Sequence, residues 1–157
     1  MYDVLTFSST RNIGYLLQHL SGVLAKQSEQ ALQERLGIGF SQFKILMVLQ
    51  YSPQSQQRQI ADSLGQTEAS ISRQVGLMID NGLLVTNISP RNRREHLTSI
   101  TAKGVRLAEE SLNVLNSCHA AMFESLGEKR QAQLLEILSQ MHQHACQPGK
   151  IGACDHT

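Results

Sequence analysis

Tryptophan is absent from this chain of 157 residues, and no apolar run approaches the roughly 20 residues that a bilayer-spanning helix needs. No membrane partner is therefore expected. The first residues, MYDVLTFSSTRNIGYLL, lack a basic segment followed by a clean apolar stretch, so a secretory signal is not expected and the chain is read as cytoplasmic. Cysteine is scarce: Cys118, Cys146 and Cys154 are an odd number, with no CxxC pair, and read as reduced thiols rather than a disulfide framework. Catalytic signatures are also missing. There is no nucleophile elbow, phosphate loop, HExxH motif or pair of carboxylates in a recognisable site, so neither an enzyme nor a bound cofactor is expected.

What is present is a folded, globular composition of 41% hydrophobic and 17% charged residues, enough for one domain with a sizeable core. The net charge of +1 excludes a general polyanion binder, yet the charge is unevenly placed. Between Arg58 and Lys103 six basic residues face four acidic ones, a local balance of +2, while the remainder carries −1. Half of that segment's basic charge lies in Arg91, Arg93 and Arg94.

Periodicity divides the chain without marking a linker or an internal repeat. Ile13, Leu17, Leu20, Leu24 and Ala31 recur at helical spacing from Arg11 to Leu36, predicting one long amphipathic helix closed by Gly37 and Gly39. The apolar crowding of QFKILMVLQ predicts a buried helix with Ser41 as its cap, broken at Pro53. QQRQIADSLG, capped by Ser55, and EASISRQVGLMIDNG, capped by Thr67, read as two short helices. LLVTNI and HLTSIT then alternate and are rich in β-branched residues, joined by SPRNRRE, which is a hairpin pattern. After Gly104 the helical repeat returns in Val105, Ala108, Leu112, Leu115, His119, Met122 and Leu126, a seam suited to helix-on-helix packing in which His119 is expected as a hydrogen-bonded core histidine. Gly127 interrupts it before a last helix carrying Leu134, Leu135, Leu138, Met141 and Ala145.

Three helices followed by a hairpin make a winged helix-turn-helix. Ala61, Gly65 and Ile71 stand at the spacing the motif requires: a small residue at the helix crossing, a turn residue tolerant of positive φ, and an apolar residue facing back. With Ile71 and Val75 turned inward, Ala69, Ser70, Ser72, Arg73 and Gln74 form the candidate DNA-reading set, and Arg73 can fork onto guanine. Arg91, Arg93 and Arg94 fall where the hairpin tip would reach a minor groove or the flanking backbone.

ASISRQVGLMIDNGLL, followed without a gap by SPRNRREHLTSITAKG, resembles the recognition helix and wing of the MarR (multiple antibiotic resistance regulator) family of winged helix-turn-helix transcription factors. Ile100, Thr101 and Gly104 stand at the family's LTxxG lead-in to the fifth helix. The resemblance implies a mainly α fold with a small β-hairpin wing, in which a winged helix-turn-helix region at 41–104 is flanked by dimerisation helices at 1–36 and 105–146, with a flexible tail at 147–157. It also implies a homodimeric repressor of a pseudo-palindromic double-stranded DNA operator, with two winged units about 34 Å apart. Long apolar stripes at both ends of the chain, larger than the middle core needs, point to the same pairing. Thr86 replaces an arginine frequent in the family, and Ser89 and Asn92 replace wing aspartates that brace its arginines, leaving this wing more positive.

Family effectors act where the dimer helices meet the winged unit, which by position implicates Arg11, Tyr15, His19, Phe43 and Met47 in binding a small molecule. The family's peroxide sensors carry an early cysteine, and none precedes Cys118 here. The tail MHQHACQPGKIGACDHT supplies His142, Cys146, Cys154 and His156 as weak metal-ligand or thiol-sensing candidates, with His142 and Cys146 on one helix face. The alternatives are thus a winged-helix protein-interaction module, or a metal- or thiol-responsive regulator using that tail.

Overall fold

The computed structural model describes residues 12–90, 92 and 96–145. Its elements are α1 (Ile13–Leu36), α2 (Phe40–Tyr51), α3 (Gln57–Leu64), α4 (Glu68–Asp80), β1 (Leu84–Ile88), β2 (His96–Ile100), α5 (Ala102–Glu124) and α6 (Glu128–Ala145). The chain is mainly helical with one antiparallel hairpin, as its periodicities predict. Arg11, Arg91, Arg93, Arg94, Cys146, Cys154 and His156 lie outside the described residues, as does the 147–157 segment expected to be flexible.

Of the expected caps Thr67 holds and Ser41 and Ser55 do not, while α1 is opened by Asn12, a cap not anticipated from the sequence. The Asn12 side chain accepts a hydrogen bond from Tyr15 N at 3.0 Å and opens α1. Thr67 caps α4 through Ser70 N at 3.2 Å. Ser41, however, does not cap α2. That helix begins at Phe40, whose N–H donates to the Glu29 carboxylate of α1 at 2.6 Å, while Gly39 N donates to Gln42 Oε1 at 3.1 Å. A carboxylate at a helix N-terminus satisfies an orphan donor and meets the positive end of the helix dipole, so the serine is not needed there. Ser55 does not cap α3 either. Gln56 takes the cap position and its N–H donates to Gln59 Oε1 at 2.8 Å. The Ser55 hydroxyl donates to Ser52 O at 2.6 Å instead, and its carbonyl accepts Thr98 N at 2.9 Å in an isolated bridge beside β2.

The principal core lies at the centre of the middle segment. Ile45, Leu46 and Leu49 of α2, Ile60 and Ala61 of α3, Ile71, Val75 and Met78 of α4, and Leu83 and Leu84 at the hairpin close around Ala108 of α5. Fully burying each large side chain contributes about 1.5–3 kcal/mol. A second cluster of Leu32, Ile38 and Phe43, with Val114 and Leu115 packed against it, ties α1 and α5 to the base of α2.

The junction of the hairpin and α5 depends on Gly104. Thr101 Oγ1 accepts Gly104 N at 3.1 Å and donates to Gly82 O at 2.8 Å, folding the helix start back onto the chain before β1. A Cβ on Gly104 would collide with the Leu83 carbonyl oxygen and would come within 2.7 Å of Ile100 Cγ1. Only a residue without a side chain permits this approach. In the hairpin, Thr86 pairs with Thr98 across the ladder, and both hydroxyl oxygens are buried without a hydrogen-bond partner.

The terminal helices leave apolar surface uncovered. Ile13 is 72% exposed and Leu135 69%, and Leu16, Leu20 and Val23 of α1, Phe123 of α5, and Ile137, Leu138 and Met141 of α6 are also exposed. Within α6 no residue is buried. His119 departs from expectation: its Nε2 is buried without a hydrogen-bond partner rather than bonded in the core.

Candidate nucleic-acid interface

Helical geometry sorts the side chains of α4 into three strips. Ile71, Val75 and Met78, spaced by four and three, are all 0% exposed and anchor the helix. Ala69, Ser72 and Arg73, also spaced by three and four, lie together on the opposite, exposed side. Gly76 extends this strip by another turn with nothing within 4 Å of its Cβ position, so the exposed edge is low and open. Ser70 and Gln74 occupy the third strip and are half-buried.

The preceding turn fixes the helix pair. Gly65 adopts φ 61°, the left-handed conformation anticipated for this position, and its N–H and that of Gln66 bond back to Asp62 O and Ala61 O at 3.3 and 3.0 Å. Ala61, 2% exposed, sits in the core where α3 and α4 meet. At the other end of α4, Lys103 Nζ donates to Asn81 O at 2.8 Å, placing a cation against the helix C-terminus.

Arg73 is the chemically versatile member of the exposed strip. Among the described residues no hydrogen bond or ion pair engages its guanidinium, so all its donors are available to an outside acceptor. Ser72 adds a hydroxyl one position earlier, and Ala69 adds a methyl group that can touch a thymine methyl. Gln74 differs from expectation. Its Nε2 donates to Gln66 Oε1 at 3.3 Å and to Ser70 Oγ at 3.4 Å, so its amide faces the turn and not the exposed edge. Gln66 was legible in the sequence only as part of a turn of suitable length, because its partners are up to 25 residues away.

In the wing, β1 and β2 place Ser89, which is buried, and Pro90 and Asn92, which are exposed, at the start of the connecting loop. Arg91, Arg93 and Arg94 lie outside the described residues in that loop.

Arg11 lies outside the described residues, and the four expected effector residues that are described do not line one common pocket within a protomer. Phe43 is 7% exposed within the second core cluster. Tyr15 and His19 stack on each other with ring centres 6.2 Å apart on the exposed part of α1. Met47 packs against that same second core cluster and also lines an apolar cavity of about 190 Å³ with Lys44, Val48, Tyr51 and Leu64. A further cleft of about 350 Å³ between α1 and α5 is bordered by Gln27, Glu34, Arg35 and the exposed Cys118. Among the described residues no group of three metal-ligating side chains converges; of its candidate set His142, near the end of α6, falls within the described residues, and Cys146, Cys154 and His156 lie outside them.

A helix-turn-helix with an open basic edge, an adjoining hairpin and long flanking helices define a winged helix-turn-helix protein. Residues 36–95 match the model of the MarR family, so the resemblance read from the recognition helix and hairpin holds over that stretch. Solved structures agree over most of the chain. Wild-type MarR in its apo form from E. coli superposes with a TM-score of 0.75 at 18% identity, covering 82% of this chain and 96% of that one. The transcriptional repressor CouR bound to a 23-mer DNA duplex gives 0.71 at 23% identity, over 84% of this chain and 93% of that one. CouR from Rhodococcus jostii RHA1 bound to p-coumaroyl-CoA gives 0.68 at 23% identity, over 84% and 92%. At such identities the likeness speaks for the fold. Among curated proteins none matches this chain. Among the described residues no helix is long and apolar enough to cross a membrane.

Proposed function

We propose that this protein is a sequence-specific DNA-binding transcriptional regulator, acting as a homodimeric repressor on a pseudo-palindromic operator. The observation that carries the reading is the exposed strip of Ala69, Ser72 and Arg73, held outward by a fully buried opposite strip and without an ion pair among the described residues. Such a helix edge suits a major groove about 12 Å wide, where arginine binds guanine through two hydrogen bonds and serine bonds phosphate or base. Ser70 stands at the flank of this edge, and Arg91, Arg93 and Arg94 of the wing loop are assigned to the neighbouring minor groove and backbone.

The dimer is proposed on the apolar surface that α1, α5 and α6 leave open, including Ile13, Leu16, Phe123, Leu135 and Ile137. Two copies joined there would present two α4 helices to one face of the DNA. A small-molecule or redox signal is proposed as the control; the p-coumaroyl-CoA bound by CouR supports the small-molecule form, with Tyr15, His19 and Met47 as the accessible members of the effector set.

The test is binding of the purified protein to the duplex upstream of its own gene, followed by fluorescence anisotropy across a salt series. Each phosphate contact adds about −0.9 to the slope of log affinity against log salt, so a slope of several units is expected. Binding that is absent, or indifferent to salt, would sink the proposal and favour a protein-interaction module.

A further inference from the structure

Three half-buried polar side chains from separate elements meet behind the exposed edge of α4. Gln66, in the turn, donates through Nε2 to Ser41 Oγ at 2.8 Å, and Ser41 lies in the first turn of α2. The same amide's Oε1 accepts from Gln74 Nε2, which also reaches Ser70 Oγ. One glutamine therefore bonds both to the start of α2 and to the second turn of α4. The start of α2 is itself held by α1, through the Glu29 carboxylate on Phe40 N.

We propose that Gln66 is a positioning residue that sets the angle of the recognition helix against α2, with Gln74 as the strut's other end and not a base reader. This rests on the DNA-binding reading above. The apolar strip of α4 fixes how deep the helix sits, because Ile71, Val75 and Met78 are locked in the core. Apolar contacts are non-directional and resist rolling about the helix axis poorly. Hydrogen bonds at the flank are directional and supply that constraint. Rolling α4 by a few degrees would displace Ala69, Ser72 and Arg73 together, so loss of the strut should blunt discrimination along the whole half-site. A lost base contact would instead erase it at one base pair.

The same geometry makes the first turn of α2 the fixed end of the strut. Ser41 is therefore the residue through which movement of α2 relative to α1 would reach the DNA-facing edge. Its hydroxyl, released from capping duty by Glu29, is the contact that matters there.

The experiment uses the full-length dimer and two DNA probes, a duplex pool selected from random sequence by the wild-type protein and the unselected pool. Gln66→Ala, Gln74→Ala, the double variant, Ser41→Ala and Ser41→Thr are compared. A neutral hydrogen bond of ordinary net worth corresponds to about a fivefold change in binding. Gln66→Ala, Gln74→Ala and Ser41→Ala should each lower the selected-to-unselected affinity ratio by about fivefold. The loss should spread over all base positions with the salt slope unchanged. The double variant should be no worse than either single one, and Ser41→Thr, which keeps the hydroxyl, should retain full discrimination. Additive losses in the double variant, or loss at a single base position in Gln74→Ala, would overturn the proposal. Amide hydrogen exchange of residues 68–74 in the DNA-free protein gives a second reading. It should rise in Gln66→Ala and Gln74→Ala, and unchanged exchange would count against the strut. If the wild-type protein selects no DNA at all, the DNA-binding reading fails while the exchange data still decide the strut.

Discussion

Replacing Gly104 with alanine tests the packing between the hairpin and α5 at its tightest point. The added methyl would strike the Leu83 carbonyl oxygen and approach Ile100 Cγ1 to 2.7 Å. The carbonyl belongs to the backbone and cannot rotate away, and it already accepts Thr101 N and Thr101 Oγ1, both at 3.0 Å. Overpacking of this kind costs about 1–3 kcal/mol, occasionally more. Weakening either hydrogen bond adds about 0.5–1.5 kcal/mol. The gain in helix propensity returns at most about 1 kcal/mol. A net destabilisation of about 0.5–3.5 kcal/mol follows, a fall of roughly 1–14 °C in Tm for a protein of this size. Gly76→Ala is the matched control, because nothing lies within 4 Å of its Cβ position in mid-helix. It should stabilise by about 0.5–1 kcal/mol. Both variants are compared with wild type by thermal and urea unfolding at one fixed protein concentration, since the proposed dimer would make Tm depend on concentration. If Gly104→Ala were neutral or matched Gly76→Ala, the reasoning from close approach would be refuted.

Other outcomes follow from the same geometry. Arg73→Ala should weaken binding to the selected duplex by about 1–3 kcal/mol and relax preference at one base pair, whereas Arg91→Ala or Arg93→Ala should weaken all duplexes alike and lower the salt slope by about one unit; competition binding separates the two. Thr98→Val removes a buried hydroxyl without a partner while keeping the β-branched shape, and should raise stability by roughly 0.5–1 kcal/mol in urea unfolding. The backbone bond from Thr98 N to Ser55 O is unaffected by that change. Leu16→Glu or Leu138→Glu, each at an exposed apolar position of a terminal helix, should shift the protein from dimer to monomer in sedimentation equilibrium; an unchanged dimer would show that the interface lies elsewhere.

The local signals in the chain were strong because each rests on chemistry confined to a few neighbouring residues. The period of 3.6 in IADSLG and ISRQVGLM, the glycine at Gly65 and the threonine at Thr67 defined the helix pair and its turn. The alternation of LVTNI and HLTSI defined the hairpin, and its ladder pairs Leu84 with Ile100 through to Ile88 with His96. With Ile71 and Val75 facing inward, the sequence offered Ala69, Ser70, Ser72, Arg73 and Gln74 as the outward set, and the folded chain narrowed the exposed strip to Ala69, Ser72 and Arg73 by half-burying Ser70 and Gln74.

Tertiary structure decided the positions at which a side chain chooses between a near partner and a distant one. Ser41 has the local credentials of a cap, yet the Glu29 carboxylate holds the start of α2 and the serine hydroxyl serves Gln66 instead. Ser55 loses its cap to a local competitor, Gln59 on Gln56 N, and its own hydroxyl donates to Ser52 O at 2.6 Å while its backbone carbonyl meets the wing. Gln74 has the spacing of a base reader and is turned aside by an amide eight residues earlier. Gly104 reads as a family landmark, but its necessity lies in a carbonyl 21 residues away. The sequence by itself thus determined which segments are helix or strand and which helix edge is free, because these depend on periodicity and short-range hydrogen bonding. Only the folded chain determined how that edge is aimed, because hydrogen bonds between residues far apart in sequence become available only after the core has closed.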